Sequence, residues 1–211
     1  MKTVTIIDYG CGNILNLLRA IKFLGYEVEV THKKEDIINS TNVILPGVGA
    51  FGNAVGQLDK YDLQSTITQY VKADKPLLGI CLGMQLLFTE SEEFGIHKGL
   101  DLIKGKVIKL SNKKNKEIKV PHVGWNEIYP SKNKQEWSNK ILKNSLIGKS
   151  FYFVHSFIGI TKDPNSTIAI CNYFNISIPA VISANNVFGC QFHPEKSGDN
   201  GLEILRNFCK I

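Results

Sequence analysis

The chain has 211 residues, 43% hydrophobic, 21% charged and 9% aromatic, a balance that excludes collagen-like, coiled-coil and disordered classes and leaves room for a substantial core. A formal charge of +6 invites a nucleic-acid partner, yet only Arg19 and Arg206 of the 25 basic residues are arginines. Guanidinium groups read bases and phosphates in a forked geometry, whereas scattered lysines make a solvated surface, so no nucleic-acid partner is expected.

Short apolar runs then alternate with amphipathic stretches. Val4–Ile7 reads as a buried strand, and Asn13–Leu24 as a helix with Ile14, Leu17, Leu18 and Ile21 on one face. Gly25 is placed to end that helix, and Glu27–Thr31 resumes as a strand. Asn42–Leu45 is another strand, closed by the loop Pro46-Gly47-Val48-Gly49; a helix is expected over Leu58–Lys72, a strand over Pro76–Ile80, and a helix over Cys81–Thr89. Such alternation implies an α/β fold: a mostly parallel central sheet with helices on both faces. The second half changes character. Val107–Leu110 and Ile118–Val120 flank a polar tip at Asn112–Asn115 and read as a hairpin; Phe151–Phe157, Thr167–Cys171, Ala180–Ala184 and Val187–Phe192 read as further strands, an antiparallel extension of the sheet. Ser131–Lys149, rich in Lys, Asn and Ser, reads as a surface excursion, and Leu202–Cys209 as a closing helix. With no repeat and no linker, residues 1–211 read as one domain.

Gly79-Ile80-Cys81-Leu82-Gly83 has the form G-x-C-x-G between a strand and a helix, the cysteine version of a nucleophile elbow. The sharp turn leaves no space for side chains at the flanking glycines, and the following helix start favours a thiolate and offers N–H groups to a developing oxyanion. Taken alone, the pentapeptide equally suits a buried cysteine at a strand–turn–helix junction. His193-Pro194-Glu195 adds a base and an acid: Pro194 biases His193 to extended geometry, which puts side chains two apart on one face. Cys81, His193 and Glu195 together make a nucleophile, base and orienting acid. The acid follows the histidine, whereas the α/β-hydrolase order places it before, so an esterase-like reading is weaker.

The five cysteines are odd in number, widely spaced and never C-x-x-C, which suits neither a disulfide framework nor a zinc site and points to a reducing, cytoplasmic compartment. Asp8 interrupts the first apolar run before a signal segment forms, and no run approaches the roughly 20 residues that span a bilayer. Neither a metal-ligand cluster nor G-x-G-x-x-G after the first strand is present, so no metal or other cofactor is expected.

Gly79 to Gln85, followed much later by Gln191-Phe-His193-Pro-Glu195-Lys-Ser197, resembles the class I, triad-type glutamine amidotransferases. Tyr9-Gly-Cys-Gly-Asn13, Pro46-Gly-Val-Gly-Ala-Phe51, Val120-Pro-His-Val-Gly-Trp-Asn126 and Tyr152-Phe-Val-His-Ser156 narrow the likeness to the glutaminase subunits of imidazole glycerol phosphate synthases, over essentially the whole chain. The resemblance implies a flavodoxin-like fold and hydrolysis of L-glutamine through a thioester on Cys81, with His193 as base and Glu195 orienting it. It further implies an oxyanion hole from Leu82 and the loop Gly47, Val48 and Gly49, and glutamine contacts from Gln85, Glu93 and backbone groups of Ser156 and Phe157. The partner it implies is a (β/α)₈-barrel cyclase subunit that receives the ammonia, with Asn13, His122, Trp125, Tyr152 and Lys196 at the subunit boundary or ammonia passage. Read as residues only, Gln85 and Glu93 equally suit ordinary polar positions, Trp125 the core, and Lys196 the solvated surface. Cys11, Val123 and Phe157 depart from the family's commonest residues by semi-conservative steps. A paralogue feeding ammonia to another synthase, as in amidination of surface sugars, carries the same triad; the glutaminase subunits of anthranilate and aminodeoxychorismate synthase fit the motifs at Pro46 and Pro121 less well.

Overall fold

The computed structural model describes residues 3–111, 118–131, 137, 139–143 and 147–211. The first half alternates as the apolar pattern requires: β1 (Thr3–Ile7), α1 (Ile14–Phe23), β2 (Glu27–Thr31), α2 (Lys34–Asn39), β3 (Asn42–Leu45), α3 (Phe51–Lys60), α4 (Leu63–Lys72) and β4 (Leu77–Ile80). There follow α5 (Leu82–Leu86), β5 (Phe88–Ser91), β6 (His97–Lys98), β7 (Ile103–Lys109), β8 (His122–Pro130), β9 (Ser150–His155), β10 (Phe157–Thr161), β11 (Thr167–Tyr173), β12 (Ile176–Ala184), β13 (Val187–Cys190) and α6 (Gly198–Cys209).

A nine-stranded sheet runs β2-β1-β3-β4-β13-β12-β11-β8-β9. From β2 to β13 the neighbours are parallel; from β13 to β9 they are antiparallel, so the expected parallel sheet with an antiparallel extension is what the chain forms. β3, β4 and β13 are buried at every position, as strands covered on both faces must be. Leu17, Ala20 and Ile21 of α1 join Ile204, Leu205 and Phe208 of α6 in one core cluster. Ile37, Phe51, Leu58, Leu63 and Ile67 of α2, α3 and α4 join another. A second sheet, β10-β7-β5-β6, carries the remaining strands. Among the described residues no helix is long and apolar enough to cross a membrane.

Several expected elements are rearranged. The helix read over Leu58–Lys72 is two helices, broken at Asp62, whose φ of 51° is left-handed. Asp tolerates that conformation because its short polar side chain bonds locally, here accepting from Ser65 Oγ at 3.1 Å. The helix read over Cys81–Thr89 ends at Leu86, because the 100–103 segment captures its last carbonyls: Leu100 N–H donates to Leu86 O at 2.8 Å and Leu102 N–H to Leu87 O at 2.9 Å. Phe88 then turns to pair with Ile103 in a strand. The hairpin of Val107–Leu110 with Ile118–Val120 does not form. β7 takes its bonds from β10 and β5 instead, Ile118–Val120 is not a strand, and the tip at Asn112–Asn115 lies outside the described residues. The strand read over Phe151–Phe157 divides at Ser156, β9 belonging to the large sheet and β10 to the small one. Within the supposed surface excursion, Ile141 and Leu142 are buried in the core and held by Asn207 Nδ2, which donates to the Ile141 and Lys143 carbonyls.

Candidate active site

In an open parallel sheet, ligands bind beyond the carboxyl ends of the strands, where side chains from separate loops converge. The carboxyl ends of β3, β4 and β13 lie side by side, and the chain leaves them as Pro46–Gly49, Cys81 and Gln191–Glu195. Cys81 follows β4 with φ 54° and ψ −111°, a strained conformation for a side-chain-bearing residue. Its N–H donates to Cys190 O at 2.8 Å. The elbow needs glycine where expected: a Cβ on Gly83 lies 1.9 Å from the Leu45 carbonyl oxygen, so β3 and α5 approach only in its absence.

Phe192, fully buried, packs its ring 4.2 Å from Phe151 and 5.7 Å from Phe153 of β9, which fixes the segment carrying His193. The His193 N–H donates to Tyr152 O at 2.9 Å. Ser197 clamps the same turn, its hydroxyl donating to His193 O at 2.6 Å while accepting from Tyr152 N–H at 3.0 Å. His193 Nδ1 meets Glu195 Oε1 at 2.8 Å, with the two side chains 2% and 3% exposed. His193 Nε2 is buried with no hydrogen-bond partner among the described residues. Burial pulls the imidazole pKa down, but Cys81 and Glu195 outweigh it and raise it to about 10. His193 is extended as expected, but Pro194–Lys196 forms a 3-10 turn, with Lys196 N–H donating to His193 O at 3.0 Å; the turn, rather than a continued strand, brings the acid to one ring nitrogen and leaves the other for chemistry.

These groups open on a cavity of about 320 Å³ lined by Val48, Gly49, Cys81, Leu82, Gln85, Glu93, Pro121, Val154, His155, Ser156, Phe157 and His193. Every residue of the expected triad, oxyanion and glutamine sets lies on this lining except Gly47 and Glu195, which stand immediately behind it at a smaller crevice shared with His193 and Asn13. Glu93 accepts from Phe51 N–H at 2.7 Å, at the start of α3 where the dipole favours an anion. Gln85 Nε2 donates to Phe157 O at 2.9 Å and to Gln191 Oε1 at 3.1 Å. The expected oxyanion donors point elsewhere: Leu82 N–H donates to Gly47 O at 3.3 Å and Val48 N–H to Cys11 O at 3.0 Å. Tyr9, fully buried, donates to Pro46 O at 2.7 Å and so anchors the start of this loop.

The model of class I glutamine amidotransferases matches residues 5–211. "Imidazole glycerol phosphate synthase subunit HisH 1" of Legionella pneumophila (strain Paris) is 42% identical over 213 residues, covering 100% of both chains. The protein is a class I glutamine amidotransferase of the HisH family. The HisH of Caldanaerobacter subterraneus subsp. tengcongensis is 44% identical, covering 97% of this chain and 96% of its own, and that of Bacillus cereus (strain B4264) is 43% identical at 97% and 93%. Among solved structures, a glutamine amidotransferase has a TM-score of 0.72 at 17% identity, covering 98% and 99%. PurLQS from Thermotoga maritima has 0.71 at 18%, covering 99% and 98%. These two likenesses speak to the fold.

Of the residues expected at a HisH subunit boundary, Trp125 is 56% exposed. It stands opposite Tyr152 across β8 and β9, their rings 6.0 Å apart, with Lys196 Nζ 5.9 Å over the Tyr152 ring. Asn13 is half-buried. His122 does not reach the surface: it is fully buried, stacked 4.0 Å from Tyr173. Its Nδ1 lies 3.0 Å from His155 Nε2 and its Nε2 2.8 Å from Asn126. Burial lowers both histidines, His155 to about 3 with His122 and His193 adding to the effect. Three hydrogen bonds, including His155 Nδ1 to Phe157 O at 3.0 Å, join two neutral rings that own two protons. The atom of Asn126 at 2.8 Å from His122 Nε2 is Oδ1; with His155 donating to the carbonyl and His122 to His155, that amide must turn to present its NH₂.

The residue reading quoted Tyr9, Gln191 and Ser197 within motifs but gave them no role. Gln191 carried a signal, being a polar residue directly after the buried strand β13 and two positions before His193.

Proposed function

We propose that the protein is the glutaminase subunit of an imidazole glycerol phosphate synthase: it hydrolyses L-glutamine at Cys81 and passes the ammonia to a (β/α)₈-barrel cyclase subunit, which makes imidazole glycerol phosphate and the aminoimidazole carboxamide ribonucleotide in histidine biosynthesis. The observation that carries this reading is the His193–Glu195 pair with Nε2 unpartnered, converging with Cys81 on a cavity that also holds one carboxylate, Glu93. A carboxylate there pairs with the α-ammonium of an amino acid, and Gln85, with both amide hydrogens committed, offers its oxygen. Ser156 and Phe157 contribute backbone at the sheet-to-sheet crossing, although the Phe157 carbonyl already accepts two donors. The cytoplasm suits five free, buried thiols.

The Cys81 sulfur attacks the side-chain carboxamide carbon as a thiolate, its proton already held on His193 Nε2. Collapse of the tetrahedral intermediate breaks the C–N bond; His193 returns the proton to the departing NH₂, and ammonia leaves. Water, deprotonated by His193, then cleaves the γ-glutamyl thioester, releasing glutamate and restoring the thiolate. Glu195 keeps the imidazole oriented throughout.

The loop geometry implies low activity in the isolated chain. Gly47 C=O, which occupies Leu82 N–H, and Val48 N–H, which faces Cys11, belong to one peptide plane. A single rotation of that plane frees one oxyanion donor and aims the other. It breaks two hydrogen bonds, a cost on the order of 1–3 kcal/mol that partner binding can offset. The family resemblance assigns the ammonia passage or subunit boundary to Asn13, at the crevice behind His193 and Glu195, and to Trp125, Tyr152 and Lys196.

The test is glutamate release from glutamine, with and without the cyclase subunit and its ribulosyl ligand, beside Cys81→Ala. Strong stimulation by the loaded partner, abolished in Cys81→Ala, is expected. Hydrolysis indifferent to the partner, with no rescue of a histidine auxotroph, moves the protein to another acceptor; no Cys81-dependent hydrolysis ends the glutaminase reading.

A further inference from the structure

Besides His193, two polar atoms approach the sulfur of Cys81: Val154 O at 3.8 Å and Gln191 Nε2 at 3.9 Å. A thiol can donate to the first; once its proton has left, that carbonyl only repels it, and the amide becomes the group that favours it. The orientation of the Gln191 amide follows from its neighbours rather than from the sulfur. The Phe157 carbonyl can only accept, so Gln85 turns its NH₂ toward it at 2.9 Å. The other Gln85 hydrogen meets Gln191 at 3.1 Å and requires the Gln191 oxygen there. The Gln191 NH₂ is thereby left facing Cys81. The backbone is pinned as well, with Gln191 N–H donating to Ala180 O at 2.9 Å, and the side chain is fully buried.

We propose that Gln191 is a positioning residue for the nucleophile. Its amide, aimed by Gln85 and the Phe157 carbonyl, supplies the sulfur with a hydrogen-bond donor while His193 holds the proton, and ties that sulfur to the side chain lining the glutamine cavity. This rests on Cys81 being the nucleophile.

Two variants of similar length separate the roles. Gln191→Glu keeps an acceptor for Gln85 and removes the N–H toward sulfur; Gln191→Met removes both. In the full chain, labelling of Cys81 by iodoacetamide is followed by peptide mass, and kcat and KM for glutamine are measured with the loaded cyclase subunit. Both variants are expected to slow Cys81 labelling and kcat by about tenfold. KM stays within about twofold of wild type in Gln191→Glu and rises in Gln191→Met, where Gln85 loses its tether. A purely structural role moves labelling the other way, because a loosened fold exposes the buried thiols and all five label faster. Wild-type or faster labelling of Cys81 in both variants overturns the proposal, as does a KM raised equally in both. Labelling needs no glutamine, so a wild-type chain that labels yet releases no glutamate overturns the glutaminase reading while the Gln191 contrast stays readable.

Discussion

His193 illustrates how a single residue's chemistry is set by its surroundings. Held at about 10 against an ordinary 6.5, it binds its proton more tightly folded than unfolded. The stabilisation is complete below about pH 6.5 and is lost as pH rises through about 10. Replacing Glu195 with Gln removes part of the cause. Urea unfolding of Glu195→Gln is expected to show a loss on the order of 1–3 kcal/mol at pH 6, shrinking by pH 10; an equal loss at both pH values refutes the pairing. That Cys81, His193 and Glu195 come together was legible because short motifs place them through local geometry. The orientation of Gln191 was not, since it depends on Phe157, whose carbonyl reaches it through Gln85 from a different sheet.

Elements here are placed by close approaches that only small residues allow. A methyl group on Gly83 meets the Leu45 carbonyl oxygen at 1.9 Å, whereas one on Gly56, inside α3, meets nothing within 4 Å. Gly83→Ala is expected to cost about 1–3 kcal/mol, lowering the thermal midpoint by several degrees. Gly56→Ala is expected to hold or raise it, by up to about 1 kcal/mol of helix propensity. Equal shifts in calorimetry sink the steric account of the elbow. Element type was readable where burial is two-sided, as in β3, β4 and β13. It failed where periodicity is shared: Cys81–Thr89 is apolar enough for a helix, yet the 100–103 segment takes its carbonyls and turns its end into β5.

At the scale of the molecule, the exposed Trp125, the Tyr152 ring and Lys196 form a patch joined to the triad through the Tyr152 carbonyl, which holds the His193 N–H. Trp and Tyr are enriched among the residues that dominate binding energy at interfaces. Trp125→Ala is expected to weaken binding of the cyclase subunit by at least about tenfold in titration calorimetry. Unchanged affinity removes the patch from the interface. His122, expected on that face, works inside it instead, where burial keeps it neutral and its proton goes to His155.

The sequence by itself determined the α/β class, the parallel half of the sheet, and which cysteine, histidine and acid come together, because strand burial, glycine-flanked turns and a His-Pro-Glu segment are local constraints, although that segment turns rather than staying extended. Only the tertiary structure decided that one strand ends at Ser156 to enter a second sheet, that Ile141 and Leu142 are core, and which way the Gly47–Val48 peptide and the Gln85–Gln191 amides face. Each depends on a donor or acceptor far away in the chain, and a hydrogen bond acquires its direction only when both ends are in place.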